Sequence, residues 1–264
     1  MAFAGRGRGQ YTKRAERFRL GVVPVSVKTK IKKIYGSFTS LLRKIVVIAL
    51  IATIVPVILL RWIPPVTSAV MVRKSIASLW SEKKGYKTRY KWTPMEKISP
   101  HAGIAVVAAE DQMFPEHFGF DLESISDAME KHSKGKRLRG ASTISQQVAK
   151  NLFLWSGRSF IRKGIEAYFT LLIEALWPKQ RILEVYMNIA EFGRGIFGVG
   201  AASEAFFKKS PSKLRPSEAA LLAAVLPNPL RLHAGRPTGY VYSRRDWILG
   251  QMEQLGGAAY LSKY

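Results

Sequence analysis

The chain has 264 residues, 47% of them hydrophobic, which suffices for one sizeable core plus an anchor, although length alone also permits two small domains. It contains no cysteine, which excludes disulfides and thiolate metal sites. Its formal net charge of +24 favours anionic lipid headgroups or a phosphate-bearing substrate; the cations are dispersed and carry no nucleic-acid motif, so no nucleic-acid partner is expected.

Residues 1–44 hold twelve Lys and Arg against one acid, Glu16, and the Gly-, Arg- and Lys-rich first 40 residues read as disordered. Residues 45–60 are uncharged, and Trp62 and Ile63 extend the stretch to the roughly twenty residues a helix needs to cross a bilayer. Arg61 can snorkel, Trp62 suits an interface, and Pro56 is tolerated within a membrane span. The run starts far from Met1 and no small-x-small site follows it, which argues against a cleaved signal peptide. The basic excess before it marks the cytoplasmic side. The expected organisation is a basic cytoplasmic tail (1–44), a transmembrane helix (45–63) and an extracytoplasmic domain (64–264). Removing the thirteen cations and one acid of residues 1–63 leaves 29 basic against 17 acidic residues outside.

Beyond Pro64 and Pro65, residues 66–80 resume a helical apolar period, with Ala69, Val70, Ile76, Leu79 and Trp80 as a membrane-adjacent face. Residues 81–91 form a basic connector. Residues 100–109 predict a short apolar helix that delivers Glu110 and Asp111 at its end. Asp121 predicts an N-cap for a helix to about His132, and residues 133–139 a mobile basic loop. Ser142 or Thr143 caps a helix through Leu152, Thr143 and Gln146 having capping-box spacing. Helices follow over 159–176, halted by Pro178, and over 179–191, halted by GRGIFGVG. Two more cover 201–207 and 217–226, the last stopped by Pro227 and Pro229. Alternating strand patterns are scarce, so the fold class is mainly α.

Four polar clusters interrupt these apolar helices: residues 108–121, 140–154, 162–166 and 179–193. Glu110 follows GIAVVAA, so its carboxylate emerges from an apolar wall, a setting that raises a carboxyl pKa and suits proton transfer; an ordinary helix-end acid fits equally. Asp111 points elsewhere and can accept local backbone hydrogen bonds. Thr143, Gln146, Gln147 and Lys150 recur at three- and four-residue steps, a face for an oxygen-rich ligand or for solvent, with Val148, Leu152 and Phe153 marking the opposite side as core. Arg162 and Glu166 stand one turn apart, with Glu174 two turns on; alone this is a helix salt bridge. The combination gives separated carboxylates with cations between them, as displacement at a sugar carbon requires. Phe114 and His117 divide between structural and substrate roles. Lys179, Glu184, Tyr186 and Asn188 read as braces, Glu184 pairing with a cation of a neighbouring helix.

In this order and spacing, EDQMFPEHFGFD, GASTISQQVAKNLFL, RKGIE and KQRILEVYMN, followed by GIFGVGAASEAFF and LLAAVLPNP, resemble the motifs of the family 51 glycosyltransferases. These are peptidoglycan polymerases that act on lipid II, and the likeness covers about residues 92–236. It implies a lysozyme-like helical lobe with a smaller membrane-facing jaw lobe. It implies Glu110 as the general base on the 4-hydroxyl of lipid II, which attacks the strand's anomeric carbon with inversion to a β-1,4 bond. Lys150 and Arg162 would meet the leaving pyrophosphate, and Glu166, the second carboxylate, would assist it or support them. Thr143, Gln147 and Asn151 would position sugar or phosphate groups, with Asp111, Phe114, His117 and Gln146 in the same substrate-binding set. A divalent cation (Mg or Mn) at the pyrophosphate is the one cofactor left open. The resemblance is to the monofunctional branch, with no room after Arg236 for a penicillin-binding transpeptidase domain. Expected partners are lipid II, the growing glycan strand, membrane lipids and proteins of a division or elongation complex, at a bacterial inner membrane with the catalytic domain periplasmic. A lysozyme-like or lytic glycan-cleaving enzyme and a non-catalytic glycan-binding scaffold are the alternatives.

Overall fold

Two helices that are apolar on every side organise the domain. α3 (Pro100–Glu110) and α9 (Pro216–Val225) each start with proline in the first turn, where its missing N–H costs nothing. Neither has a polar stripe, so only an interior suits them. Ala102 to Ala108 and Ala219 to Val225 are accordingly buried without a break, and the two helices pack on each other through small side chains. α10 (Gly239–Gln254) lies against both, burying Val241, Ile248 and Met252. The three inward positions of α10 are too thin a stripe to mark a helix in the sequence. A final 3₁₀ turn (Gly257–Lys263) crosses α3 at Gly103, where a Cβ would come 3.0 Å from Leu261.

The structure is a computed structural model describing residues 25–80, 86–134, 142–157 and 159–263. A second layer is formed by α5 (Ile144–Phe153), packed on α6 (Phe160–Leu176) and α7 (Lys179–Ile189). The Thr143–Gln146 capping box is formed in full at the start of α5. Asp121 caps α4 (Leu122–Ser133) by accepting from the Ser124 N–H at 2.9 Å. α2 (Ala69–Leu79), capped by Ser68, rests on α5; Ile76, Leu79 and Trp80 are exposed as expected, but Val70 packs inward. β1 (Arg89–Tyr90), β2 (Glu191–Gly193) and β3 (Ile196–Phe197) form a sheet of order β1-β3-β2, β1 parallel and β2 antiparallel to β3. Strands of two or three residues show no period, which is why they were not anticipated. Glu191, expected at the end of a helix, instead opens β2, where it pairs with Lys74 and accepts from the Gly195 N–H. α8 (Val199–Phe207) follows Gly198, whose φ of 85° and approach to the Asn188 carbonyl, 2.6 Å from an added Cβ, require glycine.

The chain divides into two units, residues 1–52 and 53–264. α1 (Val25–Leu60) runs through 25–40, where disorder was expected; lysine-rich sequence is helix-compatible and nothing there breaks the helix. Residues 1–24 and most of the basic loop at 133–139 lie outside the described residues. The portion Gly36–Leu60, 25 residues long, is apolar and long enough to cross a membrane and fits a single-pass anchor. The helix ends at Leu60, with residues 61–63 in a turn. Within the second unit, the Trp177 indole donates to the Val57 carbonyl at 2.7 Å, and Arg181 donates to the carbonyls of Leu60 and Ile63. Of the last carbonyls of α1, those of Val57 and Leu60 are thus met by side chains, and those of Ile58 and Leu59 by the N–H groups of residues 61–63.

Candidate active site

Glu110 is the last residue of α3, at the point where an apolar helix runs into a cleft. Its Oε2 accepts from the Gln147 amide at 2.9 Å, and the Gln147 carbonyl oxygen accepts from the Tyr186 hydroxyl at 3.2 Å. Arg244, on α10, reaches within 3.9 Å of the other Glu110 oxygen. Burial pushes the Glu110 pKa up, and Gln147, Arg244 and Lys150 pull it back. A carboxylate so placed takes up a proton more readily than an ordinary glutamate.

Three residues beyond Gln147 on α5, Lys150 stands in the electrostatic field of both Glu110 and Glu166. Burial lowers its pKa, Glu166 opposes that, and Arg162 and Lys163 add to it. Glu166 is buried on α6; one of its oxygens accepts from Arg162 at 2.8 Å and the other from Lys163. Among the described residues, the Arg162 and Arg244 Nε–H groups are buried without a hydrogen-bond partner. Arg244 lines a cavity, and a guanidinium donor left in that condition there is suited to an incoming anion. Asn151, half-buried, lies one turn from Gln147 on the same helix.

Ala109, Glu110 and Ser142 line two cavities at once. One, of about 390 Å³, adds Asp121, Asp127 and Trp247. The other, of about 730 Å³, adds Gln147, Asn228, Arg231, Tyr240 and Arg244. Glu110 therefore stands at a junction with acids on one side and guanidinium groups on the other. Arg231, Tyr240, Arg244 and Trp247 were not foreseen. Arg244 is 134 positions from Glu110 in a helix without a strong apolar stripe, and the only local signal was the LPNP stop before Arg231.

The other expected site residues are bonded within the protein, and two of them, Asp111 and Thr143, also line the smaller cavity. Asp111 accepts from the Ile144 N–H at 2.8 Å and from His117 Nε2 at 2.9 Å. His117 Nδ1 accepts from the Gly119 N–H, which places the ring proton on Nε2, facing Asp111. Thr143 donates to the Gly119 carbonyl at 2.7 Å, and Gln146 closes the capping box. Phe114 is buried, with the Lys179 ammonium 4.7 Å from its ring centre; that ammonium also donates to Glu174 and the His117 carbonyl. Asn188 bonds both the N–H and the carbonyl of Thr93. Glu184 pairs with Arg181 of its own helix, not a neighbouring one, because the two are three residues apart, and it also accepts from the Met95 N–H. Asp111→Asn would set an NH₂ against either the His117 or the Ile144 N–H; a stability loss of about 2 kcal/mol is expected, read as a lowered melting temperature.

Among the described residues, no three His, Asp or Glu side chains converge as a metal-ligating group. Glu166, the carboxylate nearest the cations, has both oxygens engaged by Arg162 and Lys163. The residues present do not fit a divalent cation held by protein ligands.

Residues 75–253 match the family model described as transglycosylase. The chain belongs to the transglycosylase family. It is 51% identical to a biosynthetic peptidoglycan transglycosylase of Cronobacter sakazakii over 88% of this chain and 98% of that protein. It is 55% identical to one of Citrobacter koseri, over 76% and 84%, and 53% identical to one of Xanthomonas campestris pv. campestris, over 80% and 85%. With these relatives, the transglycosylase is an enzyme, a peptidoglycan glycosyltransferase of the monofunctional kind.

Proposed function

We propose that the transglycosylase polymerises lipid II, with Glu110 as the general base. Glu110 takes the proton from the 4-hydroxyl of the acceptor sugar as that oxygen attacks the anomeric carbon of the growing strand. The α-linked pyrophosphate leaves from the opposite face, so a β-1,4 bond forms with inversion. The observation that carries this reading is the place of Glu110: half-buried, bonded by Gln147, and at the junction of two cavities large enough for sugars. Acceptor and donor can then meet at one carboxylate.

The departing pyrophosphate gathers negative charge, and fixed cations stabilise it without reorganising. Lys150 and Arg162 take that role, with Glu166 holding Arg162 and Lys163 in place. A divalent cation at this point would be carried mainly by the phosphate oxygens, since no three carboxylate or histidine side chains converge among the described residues. Asn151 and the second amide proton of Gln147 are available to position sugar or phosphate. The basic excess before the anchor favours a cytoplasmic N-terminus, with the domain on the periplasmic face of the inner membrane, where the lipid-linked substrate is displayed.

Incubation of the detergent-solubilised protein with labelled lipid II tests the reading. Long chains that muramidase degrades are expected. Shortening of pre-formed glycan without polymer would make the protein a cleaving enzyme, and binding without turnover a scaffold.

A further inference from the structure

Gln147 presents a single amide between two groups, and which end faces which decides what Glu110 meets. With its NH₂ toward Glu110, the amide donates to the carboxylate at 2.9 Å and its oxygen accepts from Tyr186 at 3.2 Å. Reversed, the amide oxygen would face the carboxylate oxygens and repel them. Tyr186, on α7, is only 1% exposed, with no solvent to substitute for its partner. Its phenol is held far above the usual tyrosine range by burial and by the charges of Glu110 and Asp111, so it remains an O–H donor throughout the working pH range. We infer that Tyr186 is a positioning residue: by donating to Gln147 it fixes that amide with its NH₂ on Glu110, and so readies the base for the acceptor hydroxyl. The inference rests on the reading of Glu110 as base and deepens it.

Among the described residues, Arg231 and Tyr240 share the larger cavity with Glu110, and Asp121, Glu123 and Asp127 the smaller. Asp111 follows Glu110, Lys150 lies on α5, Tyr186 on α7 and Arg244 on α10. α9 contributes only Glu218, held by Lys209, and the final 3₁₀ turn Tyr260, which donates to the Gln112 carbonyl at 3.0 Å. Tyr186→Phe removes one hydroxyl and leaves all the other groups in place.

The test is the pH dependence of kcat for lipid II polymerisation by the full-length protein. In Tyr186→Phe the acid limb is expected to move up by about one pH unit, since a donor that favours the ionised carboxylate has been loosened. The rate should recover toward wild type above that limb, with KM unchanged. Gln147→Leu should move the limb the same way and at least as far, and the double variant no further than Gln147→Leu alone. A Tyr186→Phe rate lowered by one factor at every pH would overturn the inference. So would a further shift on adding Tyr186→Phe to Gln147→Leu. If Tyr186→Phe does not fold, an unmoved limb in Gln147→Leu overturns it, because the tyrosine acts only through that amide. Polymerisation retained in Glu110→Gln would instead remove the base assignment itself.

Discussion

Glu110→Gln is expected to lower the polymerisation rate by about a thousand-fold, the scale of a positioned general base, while lipid II binding stays near that of the wild type. Glutamine fills the same space at the end of α3 but cannot accept a proton. The fold should not suffer. Burial raises the Glu110 pKa, so the folded state holds that proton more tightly than the unfolded chain does. Stability is therefore lost as pH rises from the unfolded glutamate pKa through the raised folded one, and above both the ionised carboxylate is a standing cost. A neutral glutamine removes it, so the variant should melt no lower than wild type at neutral pH. A dead variant that melted lower would point to a structural role; one that polymerised would exclude Glu110 as the base.

Lys150→Ala is the second large effect. Lys150 is the ammonium whose field reaches both Glu110 and Glu166, and its lowered pKa records the burial that strengthens its charge. Removing it takes away charge where the pyrophosphate departs, and a loss of about a hundred-fold or more in kcat is expected. Glu166 keeps Arg162 and Lys163, so the helix it braces should hold. Measured beside pre-formed glycan, the same substitution separates polymerisation from cleavage. A hydrolase has no pyrophosphate to stabilise and should be indifferent to it.

Much of the scaffold could be read from local signals, because local signals made it. The capping box of Thr143 and Gln146, the cap at Asp121 and the proline starts of α3 and α9 are decided within four residues of chain. The one-turn pairing of Arg162 with Glu166 is of the same kind. What could not be read depends on distance or on atom-level partners. Arg244 meets Glu110 only because α10 folds back on α3 and α9. The same polar types along α5 serve opposite ends: Gln147 turns to Glu110, while Gln146, one residue earlier, is spent on the Thr143 cap. Spacing puts both near one face and cannot say which amide is occupied. Asp111 and His117 show the same limit, since spacing alone does not reveal their bonds to Ile144 and Gly119.

The central claim is that the half-buried Glu110 carboxylate accepts the acceptor proton, and the most direct test is kcat against pH for lipid II polymerisation, wild type beside Glu110→Gln. The wild type should show one acid-side ionisation displaced above the ordinary glutamate range, and the residual rate of Glu110→Gln should be flat through the same interval. A wild-type rate undiminished down to the ordinary glutamate range, or the same limb persisting in Glu110→Gln, would mean that another group takes the proton.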